Sequence, residues 1–136
     1  MGDVLTPAQR RHNMSRIRAK DTAPELQLRR LLHARGFRYR IHVVDLPGRP
    51  DLVFPGLKKV IFVNGCFWHL HACRFGQVSP ATNAAFWEDK RTATVKRDTR
   101  NRAQLDALGW STLTVWECEL RAPEAATKVA VEFLTR

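Results

Sequence analysis

The chain has 136 residues and 15.6 kDa, which bounds it to a single domain with one core. Lysine and arginine number 23 against 13 acids, a net charge of +10 with pI near 10.6, so a polyanionic partner is expected. With 26% charged and 44% apolar residues the excess rides on a folded surface rather than a disordered tail, and no apolar run is long enough to predict a membrane span or secretory signal.

Residues 1–20 carry Arg10, Arg11, Arg16, Arg18 and Lys20 against the single acid Asp3, and read as a mobile basic arm; residues 21–136 read as one folded unit. Thr22, Pro24 and Glu25 fit a capping box, and Leu28, Leu31 and Leu32 form a stripe that predicts a helix from about 23 to 35. Phe37, Tyr39 and Ile41 alternate with Arg38, Arg40 and His42, which predicts a half-buried strand before the turn at 46–50. Strands are expected at Asp51–Phe54 and Lys59–Val63, joined as an antiparallel hairpin through Pro55-Gly56. An irregular stretch at 66–80 precedes a long helix over about 83–108, a strand at Ser111–Trp116 and a closing helix at Ala122–Leu134. The order α-β-β-β-α-β-α implies an α/β fold, a mixed sheet flanked by helices.

Cys66, His69, His71 and Cys73 fall within eight residues, and Cys118 follows a predicted strand. Three cysteines cannot all pair within the chain and suit a reducing cytosol; with two histidines they are the donors of one structural zinc site. Five candidates compete for four places: the choice taken is Cys66, His71, Cys73 and Cys118, with His69 as ligand and His71 exposed as the alternative. Asp51 opens a strand at a sheet edge where a carboxylate can reach solvent and a hard cation, with Glu25 and His69 as possible colleagues. Between residues 90 and 102 stand Lys90, Arg91, Lys96, Arg97, Arg100 and Arg102 against Asp98, a density suited to phosphate contacts and a salt slope of roughly −5.

Pro50-Asp51 after a helix, opening the second strand of a mixed sheet, resembles the PD-(D/E)xK restriction-endonuclease-like superfamily. Far more specific are Leu46-Pro47-Gly48-Arg49-Pro50-Asp51-Leu52-Val53, Val60-Ile61-Phe62-Val63-Asn64-Gly65-Cys66-Phe67-Trp68-His69 and Val115-Trp116-Glu117-Cys118. With His12-Asn13-Met14, Asp21-Thr22, Glu25, Phe86-Trp87, Arg97-Asp98 and Leu108-Gly109-Trp110 in order, the chain resembles the very-short-patch-repair (Vsr) DNA mismatch endonuclease family over most of its length. The resemblance implies a bacterial cytoplasmic enzyme that acts on double-stranded DNA, nicking 5′ of the thymine in a T:G mismatch and leaving the nick to downstream repair proteins; a monomer is the default expectation.

The resemblance also implies Asp51 and the Val63 main-chain carbonyl as Mg²⁺ ligands, His69 as the proton-transfer residue and Glu25 as a supporting group. Asn64 stands where the family commonly has histidine, and Thr94 where asparagine is common in the helix facing DNA. Phe67, Trp68 and Trp87, with Met14 from the arm, are the implied intercalating groups, and Lys90, Arg91, Thr94 and Arg97 line the implied DNA face. The alternative from another class is a non-catalytic, zinc-stabilised DNA-binding module, which would keep the zinc ligands and need no Asp51.

Overall fold

A computed structural model describes residues 21–136; the basic arm, and Met14 with it, lie outside the described residues. Among the described residues three helices and three strands follow in the order α1 (Ala23–Ala34), β1 (Leu52–Phe54), β2 (Lys59–Asn64), α2 (Ala84–Ala107), β3 (Ser111–Trp116) and α3 (Pro123–Thr135). Short 3₁₀ turns occupy Pro55–Leu57 and Glu117–Arg121. No described helix is long and apolar enough to cross a membrane.

The sheet is mixed, with β2 central: β1 runs antiparallel to it, Leu52 opposite Ile61, and β3 runs parallel to it, Lys59 opposite Ser111 through Asn64 opposite Trp116. Side chains alternate across each strand, so Leu52, Phe54, Ile61, Val63 and Val115 meet Leu28 and Leu32 of α1 and Ala126, Ala130, Phe133 and Leu134 of α3 on one face. Val53 and Val60 face the other way, onto Leu105 of α2, with Phe62 and Trp110 beside them. The result is a three-layer α/β/α arrangement whose parallel pair is bridged by the crossover helix α2.

Two expectations differ from the structure. The strand predicted over 37–41 is a single bridge, in which Arg40 and Val53 exchange hydrogen bonds of 2.8 and 2.9 Å. β1 is only three residues long, so its outer edge offers one such pair, and His42 at φ 57° turns the chain away. Phe37 and Tyr39 still pack on the core, and the Tyr39 hydroxyl donates to the Arg29 carbonyl at 3.0 Å.

The capping box at Thr22 is incomplete. Thr22 donates its hydroxyl to the Glu25 carboxylate at 3.0 Å and caps no backbone N–H. Glu25 lies on the stripe that includes Leu28 and Leu32, only 2% exposed, and its second oxygen accepts from the Asp21 N–H at 2.9 Å and from Arg29 at 3.1 Å. The helical repeat that buries the leucines buries the glutamate one turn earlier.

Candidate active site and metal centre

An open cavity of about 1110 Å³ lies at the end of the sheet where β2 and β3 finish. It is lined by Glu25 from α1, Arg49 and Asp51 from the loop entering β1, Val63 and Asn64 from the end of β2, His69 from the following loop, and Asp98 from α2.

Asp51 is placed by the ladder it terminates. Its N–H donates to the Ile61 carbonyl at 3.1 Å, and beyond that pair its side chain replaces the missing strand partner, accepting the Val63 N–H at 2.6 Å. The carboxylate is thereby held beside the Val63 main chain. Burial, with the neighbouring Glu25 charge adding to it, pushes the Asp51 carboxyl up to about 7 against the lowering effect of the Val63 N–H. Arg29 spans Glu25 and Asp21, at 3.1 and 2.8 Å, and supplies the compensating positive charge; its Nε is buried without a partner among the described residues. Asn64, 9% exposed, closes β2 against the same cavity.

His69 and His71 are two residues apart yet part company. Leu70 between them is at φ 50°, in the left-handed region, so the two rings do not share a side as alternate residues of an extended segment would. His69 Nδ1 lies 2.5 Å from Asp98 on α2, and the ring lines the cavity. A carboxylate only accepts, so Nδ1 is the donor of this pair, and Nε2 is the nitrogen left to face the cavity's other groups.

His71 instead stacks on Trp116, ring centroids 4.0 Å apart and 16° from parallel, and turns Nδ1 to within 3.5 Å of Cys118 Sγ. One donor atom from each of Cys66, His71, Cys73 and Cys118 lies within 4.8 Å of the others, a cage that can hold a tetrahedral metal ion. The parallel register makes this possible: Asn64 pairs with Trp116, so Cys66 and Cys118 leave adjacent strand ends two residues later. Burial pushes the Cys66 thiol up to about 12 and raises Cys118. Cys73, which burial alone would raise, is brought down to about 6 by the Gly76 N–H and then by His71 and Cys66. The loop is tight enough that a Cβ at Gly76 would fall on the His71 carbonyl and lie 2.6 Å from its nitrogen, so only glycine fits.

The same loop presents aromatic rings. Phe67, Trp68 and Trp87 form a triangle of edge-to-face contacts with centroids 5.3 to 5.8 Å apart, all partly exposed, and Phe86 extends it at 5.3 Å from Trp87. Lys90 and Arg97 are exposed on α2, and Thr94 returns its hydroxyl to the Lys90 carbonyl at 3.1 Å.

Arg91 departs from the reading as a DNA contact. It is 4% exposed, lies over the Phe67 ring at 4.3 Å, and donates to the carbonyls of Phe67, Gly76 and Val78. Its charge is spent on carbonyls of the 67–78 loop, which pins that loop to α2 and leaves five exposed cations in the 90–102 run.

A family model described as "DNA mismatch endonuclease Vsr" matches residues 2–75. The chain is 49% identical over 120 residues to the "Type II nicking enzyme V.XorIIP" of Xanthomonas oryzae pv. oryzae, covering 88% of each chain. It is 45% identical over 131 residues to the "DNA mismatch endonuclease Vsr" of Escherichia coli strain K12, covering 96% of this chain and 83% of that one. The chain belongs to the Vsr DNA mismatch endonuclease family. Within this member of the Vsr family, the "Type II nicking enzyme V.NmeAIP" of Neisseria meningitidis serogroup A marks a further relative, 40% identical over 89% of this chain and 86% of its own.

Two groups of this Vsr-family chain were given no role from the sequence: Asp98, which lines the cavity, and Arg29, which braces the cavity's Glu25. Asp98 is the sole acid among six bases between 90 and 102, and an isolated carboxylate in a basic run was the available signal. Arg29 stands four residues after Glu25, the spacing of a helical ion pair, which was the signal for it.

Proposed function

We propose that this protein is a magnesium-dependent, strand-specific DNA endonuclease that nicks 5′ of the thymine in T:G mismatches left by 5-methylcytosine deamination, and so initiates very-short-patch repair. The observation that carries the proposal is the convergence on one cavity of Asp51, Glu25 and the His69–Asp98 pair, beside the aromatic triangle of Phe67, Trp68 and Trp87. Relatives named as nicking enzymes and as a mismatch endonuclease support both the reaction and the substrate class.

The two carboxylates suit a hard cation. Asp51 holds its proton unusually tightly because burial and the Glu25 charge disfavour a second anion, and a divalent ion between oxygen donors relieves that repulsion. Asp51 and the Val63 carbonyl would hold Mg²⁺, with Glu25 in support through water. When bound, the ion supplies Lewis-acid stabilisation of the charge that develops on the phosphodiester and its leaving oxygen. His69 takes the proton of the attacking water on Nε2 while Asp98 fixes the ring and stabilises the imidazolium. The phosphorus gains the water oxygen and loses the strand oxygen, which takes a proton from solvent water and departs as a hydroxyl. Asn64 offers a neutral amide to the same cavity, able to hydrogen-bond but not to act as an acid or base.

The soft donor set of Cys66, His71, Cys73 and Cys118 fits Zn²⁺ in a structural role, stiffening the loop that carries Phe67 and Trp68. Stiff rings can enter a base step, at a cost of a few kcal/mol that is smallest where the pair is mismatched. Trp87 enters from α2, and Met14 from the basic arm, which orders on DNA. Lys90, Thr94 and Arg97 contact the backbone. Residues 21–136 form the PD-(D/E)xK-type domain, and the protein works as a monomer in the bacterial cytoplasm, handing its nick to repair proteins.

End-labelled T:G and matched duplexes incubated with and without Mg²⁺ test the proposal. A nick beside the thymine that disappears without Mg²⁺ and in Asp51→Ala supports it; tight binding by wild type with no cut under any condition assigns the chain to a zinc-braced DNA-binding module instead.

A further inference from the structure

The cavity lining is rich in acids, with Glu25, Asp51, Asp98 and Glu117 arriving from four separate segments, so a phosphodiester entering it meets several carboxylates. Two lining arginines, Arg49 and Arg102, are exposed and form no ion pair among the described residues. Arg102 rides on α2, whereas Arg49 belongs to the loop that delivers Asp51, two residues before it.

That loop is fixed on every side. The Arg49 N–H donates to the Leu46 carbonyl at 3.1 Å, Pro50 is fully buried, and Gly48 at φ 78° packs against α2 so closely that a Cβ there would stand 3.0 Å from the Asn101 side chain. Within it Arg49 is held at φ 48°, a conformation that disfavours any side chain larger than glycine's hydrogen. A turn alone would be better served by glycine or asparagine at this position. An exposed arginine in a strained, rigidly braced backbone at the mouth of an acidic cavity is the signature of a group whose position matters to a ligand.

We infer that Arg49 is a substrate-positioning residue whose guanidinium grips the non-bridging oxygens of the reacting phosphodiester and holds it against the cavity's carboxylates. The planar fork matches a phosphate with two parallel hydrogen bonds, and its charge offsets the repulsion that Glu25, Asp51 and Asp98 impose on an incoming anion. The inference rests on the nicking reading above, with the phosphodiester of duplex DNA as the ligand.

The test compares wild type with Arg49→Gln, Arg49→Lys and Arg49→Gly, and with Lys128→Gln, which removes the same charge from exposed α3 outside the cavity. Two quantities are read: the salt dependence of T:G-duplex binding without Mg²⁺, and the single-turnover nicking rate with it. Arg49→Gln is expected to reduce the steepness of the log–log salt slope by about 1 and the nicking rate about 100-fold. Arg49→Lys keeps the slope but recovers no more than about a tenth of the rate, because an ammonium cannot form the fork. Arg49→Gly shows the losses of Arg49→Gln with an undiminished melting temperature, since glycine takes this φ freely.

A slope for Arg49→Gln equal to that of Lys128→Gln, with a nicking rate within about twofold of it, would overturn the inference, as would a rate loss with unchanged slope and a fallen melting temperature. Should wild type fail to nick, the nicking reading falls by itself and the slope alone decides. A decrease of about 1 then keeps Arg49 as a phosphate-gripping residue, and no decrease removes it.

Discussion

Replacing Asp51 by asparagine should stabilise the Mg²⁺-free protein, and do so more as pH rises. Burial chiefly, and the Glu25 charge after it, raise this carboxyl from 3.8 to about 7. The native state therefore holds the Asp51 proton more tightly than the unfolded chain does. Ionisation costs the fold nothing below the unfolded value; the cost then grows as pH rises towards 7 and levels off above it. About three pKa units correspond to about 4 kcal/mol at the plateau, and between pH 5 and pH 8 the change is about 2–3 kcal/mol. Asparagine keeps an oxygen for the Val63 N–H at the same place and carries no charge, so the variant escapes this cost. Urea unfolding of both proteins at pH 5 and pH 8, in zinc-replete buffer without Mg²⁺, reads the difference directly, and titrations common to both cancel. An Asp51→Asn advantage that is constant with pH, or larger at pH 5, would refute the placement of Asp51 as a buried, proton-holding carboxylate. The same linkage predicts that Mg²⁺ competes with this proton, so its apparent affinity weakens about tenfold per pH unit below 7, measurable by calorimetry.

Asp98→Asn should lower the single-turnover nicking rate by about 10²–10⁴ with little change in DNA affinity, because the amide no longer fixes the His69 tautomer or stabilises its cation. His71→Ala should lose bound zinc by elemental analysis and melt at lower temperature, whereas His69→Ala keeps its zinc and its fold and stops nicking; the reverse pattern would exchange the two roles. Arg91→Met should cost about 3 kcal/mol in urea unfolding, since three loop carbonyls lose a charged donor, while leaving the salt slope of DNA binding unchanged. With Arg91 removed from the exposed set, five remaining phosphate contacts from this run would give a wild-type slope of about −4 to −5.

The elements with strong local patterns were legible in the sequence. The leucine stripe of α1, the apolar run of β2 and the alternation in β3 each specify their own period, and the observed bounds differ from the expected ones by a residue or so. The strand expected at 37–41 shows where pattern stops being enough. Its alternation does place Phe37 and Tyr39 on the core, but a ladder needs a partner, and β1 is too short to provide one. At the site, the crowding of cysteine and histidine at 66–73 was visible along the chain. The arrival of Cys118 depends on the parallel register of β2 and β3, and the divergence of His69 from His71 depends on one left-handed residue, Leu70. Arg91 and Asp98 mark the limit most clearly. Both sit in one basic helix, and only the approach of the 66–78 loop turns the first inward as a strut and gives the second an imidazole partner.

The most direct test of the account is a T:G duplex carrying a different fluorophore on each strand, incubated with the zinc-replete protein and Mg²⁺ and resolved on a denaturing gel beside the corresponding T:A duplex. The account predicts a single cut 5′ of the mismatched thymine, an intact guanine strand and an intact T:A control. Cleavage of both strands, equal cleavage of the T:A duplex, or firm binding with every strand intact would contradict it.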